Sequence, residues 1–130
     1  MRHMERLLWI CFGSALGGGA RYLLSTWVGE LLGPSFAYGT LSVNLLGSFL
    51  MGGLMYAGVV AAAISPELRL VLTTGVLGGF TTYSAFSYET LQYLQKGAWH
   101  TGVANVVATV FGCLLACLLG WTLAQRLFGT

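Results

Sequence analysis

Charge is what this chain has least of. Only 8% of its 130 residues are Asp, Glu, Lys or Arg, against about 25% in an ordinary soluble domain. With 56% hydrophobic residues, that deficit excludes a water-soluble globule. It leaves an integral membrane protein with little mass outside the bilayer, in one compact unit. The formal net charge of +2 and the absence of any Lys/Arg patch exclude a nucleic-acid surface. Three cysteines, Cys11, Cys113 and Cys117, lie in apolar runs. Their odd number and depth argue against a disulfide framework. Cys113 and Cys117 share one helix face at i,i+4, but a metal cluster needs more thiolate or imidazole, and His3 and His100 sit near segment ends. The thiols read as small buried hydrophobes. There is no Ser/His/Asp set, no metal-ligand cluster and no phosphate loop, so no enzyme is expected.

What is present is apolar length. A spanning helix needs about 20 apolar residues, and the sparse charges divide the chain into four such segments, roughly residues 7–31, 38–61, 70–94 and 98–124. The turns between them carry Gly33-Pro34, Ser65-Pro66 and Lys96-Gly97, the expected punctuation. The start imitates a secretory signal, with charges to Arg6, an apolar stretch and small residues at Gly17-Gly-Gly-Ala20. More membrane segments follow rather than a hydrophilic domain, so it is expected to stay as the first span. With the N-terminus cytoplasmic, that side collects Arg2, Arg6, Arg69 and Arg126, and the positive-inside rule favours this orientation. Gly13-x-x-x-Gly17 and Ser48-x-x-x-Gly52 have the spacing of close helix packing. Four thin helices do not easily enclose a polar path alone, so a homodimer is expected.

Polar residues at bilayer depth are costly unless buried in protein or set along a polar path. In the second segment Thr40, Asn44 and Ser48 share a face at i,i+4,i+8. A mid-membrane Asn can serve an ordinary interhelical hydrogen bond, worth about 0.6 kcal/mol on average. The hydroxyl stripe beside it favours a functional reading. In the third segment Gly75, Gly78 and Gly79 weaken the helix, and Thr81 and Thr82 compete for its backbone bonds. A break there frees carbonyls, which suit a hard cation, and a half-helix N-terminus, which suits an anion. Beyond it lie Tyr83, Ser84, Phe86 and Ser87. Hydroxyls of Thr82, Ser84 and Ser87 can donate to an anion, and an aromatic edge can face one. The blander alternative is a glycine-kinked helix whose hydroxyls bond to their own carbonyls.

In the fourth segment Asn105, Thr109, Cys113 and Cys117 form another i+4 stripe, either the wall of a polar track or a mildly polar seam. Arg21 either snorkels to the interface or draws anions to a vestibule. Glu89 either carries a proton or caps the polar run. The inventory is rich in donors and suits an anion path.

The run Gly39-Thr-Leu-Ser-Val-Asn-Leu-Leu-Gly47, followed by Thr73-Thr-Gly-Val-Leu-Gly-Gly-Phe-Thr-Thr-Tyr-Ser-Ala-Phe-Ser87, resembles the CrcB/Fluc family of fluoride channels, as does Gly17-Gly-Gly-Ala-Arg-Tyr22. The resemblance covers essentially the whole chain. It implies four transmembrane helices with the third broken, in an antiparallel, dual-topology homodimer of the inner (plasma) membrane that passively exports fluoride. It implies a structural Na⁺ at the dimer centre, held by the main-chain carbonyls of Gly78 and Thr81. Asn44 resembles the pore asparagine, and Tyr83 and Phe86 stand at the two pore-phenylalanine positions. Ser84 is similar to a polar pore contact, Arg21 to the first-helix arginine, and Glu89 to an acid after the motif. Thr40, Ser87 and Thr109 complete the expected pore set. Most members have Phe where Tyr83 stands, and Ser or Thr where Cys113 and Cys117 stand; Asn105 often corresponds to Tyr. A proton-coupled small multidrug-type exporter shares the length and helix count. That class relies on an acid deep in the first helix, whereas Glu5 and Glu30 only flank it here. A non-transporting assembly subunit is the third reading.

Overall fold

A computed structural model describes residues 2–129. All regular structure among them is helical. Helix α1 spans His3–Leu32 and begins where the Arg2 amide donates to Glu5 Oε2 at 3.1 Å. It stops at Gly33, whose φ of 83° is a left-handed conformation that glycine takes without strain. Helix α2 spans Tyr38–Met55 and runs on into a π-helical turn, Tyr56–Val60. Helix α3 opens with Ser65 as cap and Pro66 in its first turn; Ser65 Oγ accepts from the Leu68 amide at 3.2 Å. It proceeds through Pro66–Leu70, a π-helical stretch Val71–Leu77 and a last turn Gly78–Phe80.

There the helix breaks. Thr81 and Thr82 are extended, with ψ of 156° and 113°. Helix α4, Tyr83–Gln95, then begins with Thr82 Oγ1 accepting from the Ala85 amide at 3.3 Å. The local cause is chemical. Gly78 and Gly79 are poor helix formers, Thr81 Oγ1 bonds back to the Leu77 carbonyl at 3.0 Å, and Thr82 is a good N-cap. A turn through Gly97, φ 76°, leads to α5, Trp99–Phe128.

Three helices are long and apolar enough to cross a membrane: α1, the continuous run Tyr38–Val60, and α5. The third expected span is shared by α3 and α4, and neither half has that length alone. The surface is what lipid requires. Leu8, Phe12, Leu23 and Trp27 of α1, and Phe111, Leu114 and Leu118 of α5, are all more than half exposed. A water-soluble protein rarely shows so much contiguous apolar surface.

Helix contacts are made by glycine. A Cβ on Gly52 of α2 would overlap the Cys117 carbonyl oxygen of α5, and one on Gly120 of α5 would overlap the Phe49 carbonyl. On the other side, Gly17 of α1 lies against the Val76 carbonyl and Gly79 against that of Ser14. Without water to drive helices together, such close backbone approach supplies the dispersion contact. Gly18 meets nothing within 4 Å. Gly52→Ala is therefore expected to destabilise by about 1–3 kcal/mol, the usual cost of overpacking, while Gly18→Ala is neutral or slightly stabilising. Thermal unfolding of the two variants in the same detergent or lipid checks this.

Candidate functional site

The break is held from across the bundle. Asn44 on α2 is buried, 7% exposed, and its carboxamide engages one residue twice. Its Nδ2 donates to the Thr82 carbonyl at 3.0 Å, and its Oδ1 accepts from the Thr82 amide at 2.8 Å. Gly47, one turn along, lacks the side chain that would collide with Thr81 Cγ2. The Thr82 peptide groups, orphaned by the break, are thus paired by a side chain of another helix. Asn44 Nδ2 has a second N–H beyond the one given to Thr82.

Beside this clamp lies a cavity of about 480 Å³. Asn44, Ser48 and Met51 line it from α2, Thr81, Thr82, Tyr83 and Phe86 from the break and α4, and Thr109, Cys113 and Cys117 from α5. Phe86 is buried, whereas Tyr83 is 78% exposed; their rings meet edge-on, 5.5 Å between centroids at 65°. An amide, hydroxyls and two aromatic rings thus line one space whose wall is otherwise mostly apolar, and no charged side chain is among its lining residues.

Several residues singled out in the sequence lie elsewhere. Ser84 and Ser87 are exposed and outside this cavity. Ser87 Oγ donates to its own helix at the Tyr83 carbonyl, 3.0 Å, and Ser84 Oγ is 3.4 Å from Thr82 Oγ1. Thr40 leaves the stripe it forms with Asn44 and Ser48: its hydroxyl donates to Glu89 Oε1, and both line a second cavity of about 500 Å³ with Ser25, Glu30 and Tyr38. Asn105 turns from the α5 stripe to donate to Thr90 Oγ1 at 2.9 Å, forming a seam with α4. Met51 escaped sequence reasoning. Its i+7 spacing from Asn44 on the same face was the available signal.

Arg21 reaches across to the third segment. Its Nε donates to the Gly79 carbonyl at 3.1 Å, and Ser14 Oγ of the same helix donates to the Gly75 carbonyl at 3.2 Å. Helix α1 thus supplies donors to carbonyls that precede the break. The Gly78 carbonyl differs. The Thr81 amide that would close it in a tight turn goes to the Leu77 carbonyl at 3.0 Å, and the Thr82 amide that would close it in a continued helix goes to Asn44. The Thr81 carbonyl likewise loses its helical donor, because the Ala85 amide is capped by Thr82 Oγ1. Both oxygens have the chemistry of ligands for a hard cation.

Removing the Asn44 carboxamide would leave both the amide and the carbonyl of Thr82 unpaired, at about 1–3 kcal/mol for each buried group. Asn44→Ala is expected to lower thermal stability by that order and to speed hydrogen exchange at the Thr82 amide. Unchanged exchange would mean that the break holds itself.

Residues 8–121 match the family described as CrcB-like protein, Camphor Resistance (CrcB). Among similar curated proteins, the Fluoride-specific ion channel FluC of Anaeromyxobacter sp. (strain K) is 50% identical over 126 residues, 97% of this chain and all of the relative. The protein of the same name from Anaeromyxobacter dehalogenans has the same identity and coverage. That from Sorangium cellulosum is 49% identical over 124 residues, 95% of this chain and 98% of its own.

Proposed function

This chain belongs to the CrcB family, and we propose that it is a fluoride-selective passive ion channel that relieves fluoride toxicity by letting the ion leave the cytoplasm. It is a membrane-embedded channel rather than an enzyme, as are the relatives named fluoride-specific ion channels. The observation that carries the reading is the donor-lined cavity at the helix break. Fluoride is small and strongly hydrated, so a pore must replace its water with many short-range donors in a narrow space. The second N–H of Asn44, the hydroxyls of Ser48 and Thr109, and the ring edges of Tyr83 and Phe86 are such donors. A larger, more weakly hydrated halide would gain less from such donors. Flow down a gradient needs no energy coupling.

The pore is assigned to Asn44, Tyr83, Ser84, Phe86, Ser87, Thr40, Thr109 and Arg21, of which Asn44, Tyr83, Phe86 and Thr109 line the cavity beside the break, Thr40 lines the second cavity and Arg21 lies at the Gly79 carbonyl. Ser84 and Ser87 are outside the cavity of a single chain, and Tyr83 is widely exposed on an apolar molecule. A second copy packed against α4 would bury these polar groups and complete the wall. The assembly proposed is an antiparallel, dual-topology homodimer with four transmembrane segments per chain, the third formed by α3 and α4, in the inner membrane. A structural Na⁺ at its centre would be held by the carbonyls of Gly78 and Thr81. The support is that both oxygens have lost their helical donors. The ion would neutralise converging carbonyl dipoles and lock the break.

The proton-coupled exporter is not favoured, because Glu5 and Glu30 stand at the ends of α1, not in its middle.

Liposomes containing the purified protein are expected to release fluoride rapidly and chloride negligibly, read by ion-selective electrodes; equal release of both would end the selectivity claim. Asn44→Ala should slow fluoride release by about tenfold or more, the equivalent of one lost buried hydrogen bond of about 1.4 kcal/mol. Tyr83→Phe should preserve or raise it, since the ring edge and not the hydroxyl is assigned to the ion. Exchanging Na⁺ for a large organic cation during purification should weaken the dimer, measured by its dissociation on size-exclusion chromatography.

A further inference from the structure

Two thiols stand in the wall of the cavity and have no task in the function above. Cys113 and Cys117 are free, lie one turn apart on α5, and both line the space beside Asn44. Helix geometry puts Cβ atoms at i,i+4 about 5–6 Å apart on one face. Two sulfurs at that spacing can swing together onto one ion without moving the backbone. A third sulfur, the thioether of Met51, lines the same cavity from α2. Among the described residues, no group of three or more His, Cys, Asp or Glu could hold a metal. A tetrahedral zinc site, which needs about four ligands, is therefore excluded. What two thiols and a thioether can satisfy is a soft d¹⁰ cation content with two-coordinate, near-linear sulfur ligation.

We propose that Cys113 and Cys117 form a soft-metal site in the wall of the cavity, with Met51 as a weak third contact, and that its occupation closes the cavity. For a divalent ion the balance is one cation in and two protons out. Each S–H bond breaks as its sulfur binds the metal, both protons pass to water, and no electrons are transferred. The product, a dication with two thiolates, is neutral. Its burial avoids the desolvation penalty that a net charge would carry in this apolar setting. The same site takes Hg²⁺, or Ag⁺ and Cu⁺ with one residual negative charge, and disfavours hard ions such as Na⁺ or Mg²⁺. The metal would sit in the wall that also carries Thr109 and Asn44, so it would obstruct the stretch of the cavity an anion passes there. That last step rests on the channel reading above; the binding step does not.

Hg²⁺ titrated into the purified full-length protein is the test. The ultraviolet mercury–thiolate charge-transfer band and proton release report binding, and fluoride release from liposomes reports blockade. Cys11→Ser, which removes the exposed third thiol, is expected to take up a single Hg²⁺ per subunit with release of two protons and to lose fluoride flux, while the wild type loses flux in the same way and takes up further Hg²⁺ at Cys11. In the Cys11→Ser background, Cys113→Ser and Cys117→Ser are each expected to lose the two-thiolate band and to release one proton per Hg²⁺, and the variant lacking both thiols is expected to keep flux in the presence of Hg²⁺. A band that survives in either single variant, or that depends on Cys11, overturns the site. Binding as expected without loss of flux overturns closure of the cavity. An untreated protein that releases no fluoride counts against the channel reading alone, since the band and the protons still decide the site.

Discussion

The carboxamide of Asn44 does for Thr82 what a continued helix would have done. It accepts from the Thr82 amide and donates to the Thr82 carbonyl, so the chain stops being helical inside an apolar molecule without leaving Thr82 unpaired. In water such a break is cheap, because solvent satisfies it. At bilayer depth each orphaned group would cost several kcal/mol, so the break persists only where a side chain from another helix replaces the missing partners. Phe86 and Tyr83 reach the cavity because α4 restarts just after Thr82. The Gly78 and Thr81 carbonyls are free because the amides that would have closed them are taken by Leu77, Asn44 and Thr82.

The clamp in turn needs α2 to lie close to α3 and α5, and glycine allows it. Gly47 leaves room for the Thr81 side chain, and Gly52 and Gly120 let the α2 and α5 backbones meet with no side chain between them. Gly17 and Gly79 do the same between α1 and α3. The second contact brings Arg21 to the Gly79 carbonyl. A charged group deep in the first apolar helix is thereby given an acceptor, which is how intramembrane Arg is tolerated. Packing and polar satisfaction are thus one arrangement: the small residues that bring backbones together also bring polar heads to the carbonyls they serve.

The polar stripes show where linear reasoning stopped. Thr40, Asn44 and Ser48 share a face by periodicity, yet Thr40 belongs with Glu89 in one cavity while Asn44 and Ser48 belong to another. The face is real, but it is longer than either cavity, and the partner opposite changes along it from α4 to the break. The α5 stripe divides in the same way. Asn105 is taken up by Thr90, whereas Thr109, Cys113 and Cys117 open on the cavity. Periodicity says which residues point together. It does not say what they point at.

Composition determined that this chain lives in a membrane, because 8% charge cannot cover a water-facing surface. The glycines and threonines before Tyr83 determined that the third apolar run would not stay helical, because helix propensity and side-chain competition act within a few residues. Those are local properties and need no partner. The tertiary structure decided that the break falls at Thr81 and Thr82, that Asn44 secures it, that Arg21 meets the Gly79 carbonyl, and that Cys113 and Cys117 open on a cavity rather than filling a core. Each of these depends on which helix lies opposite, and that is set by close backbone contacts between residues far apart in the chain.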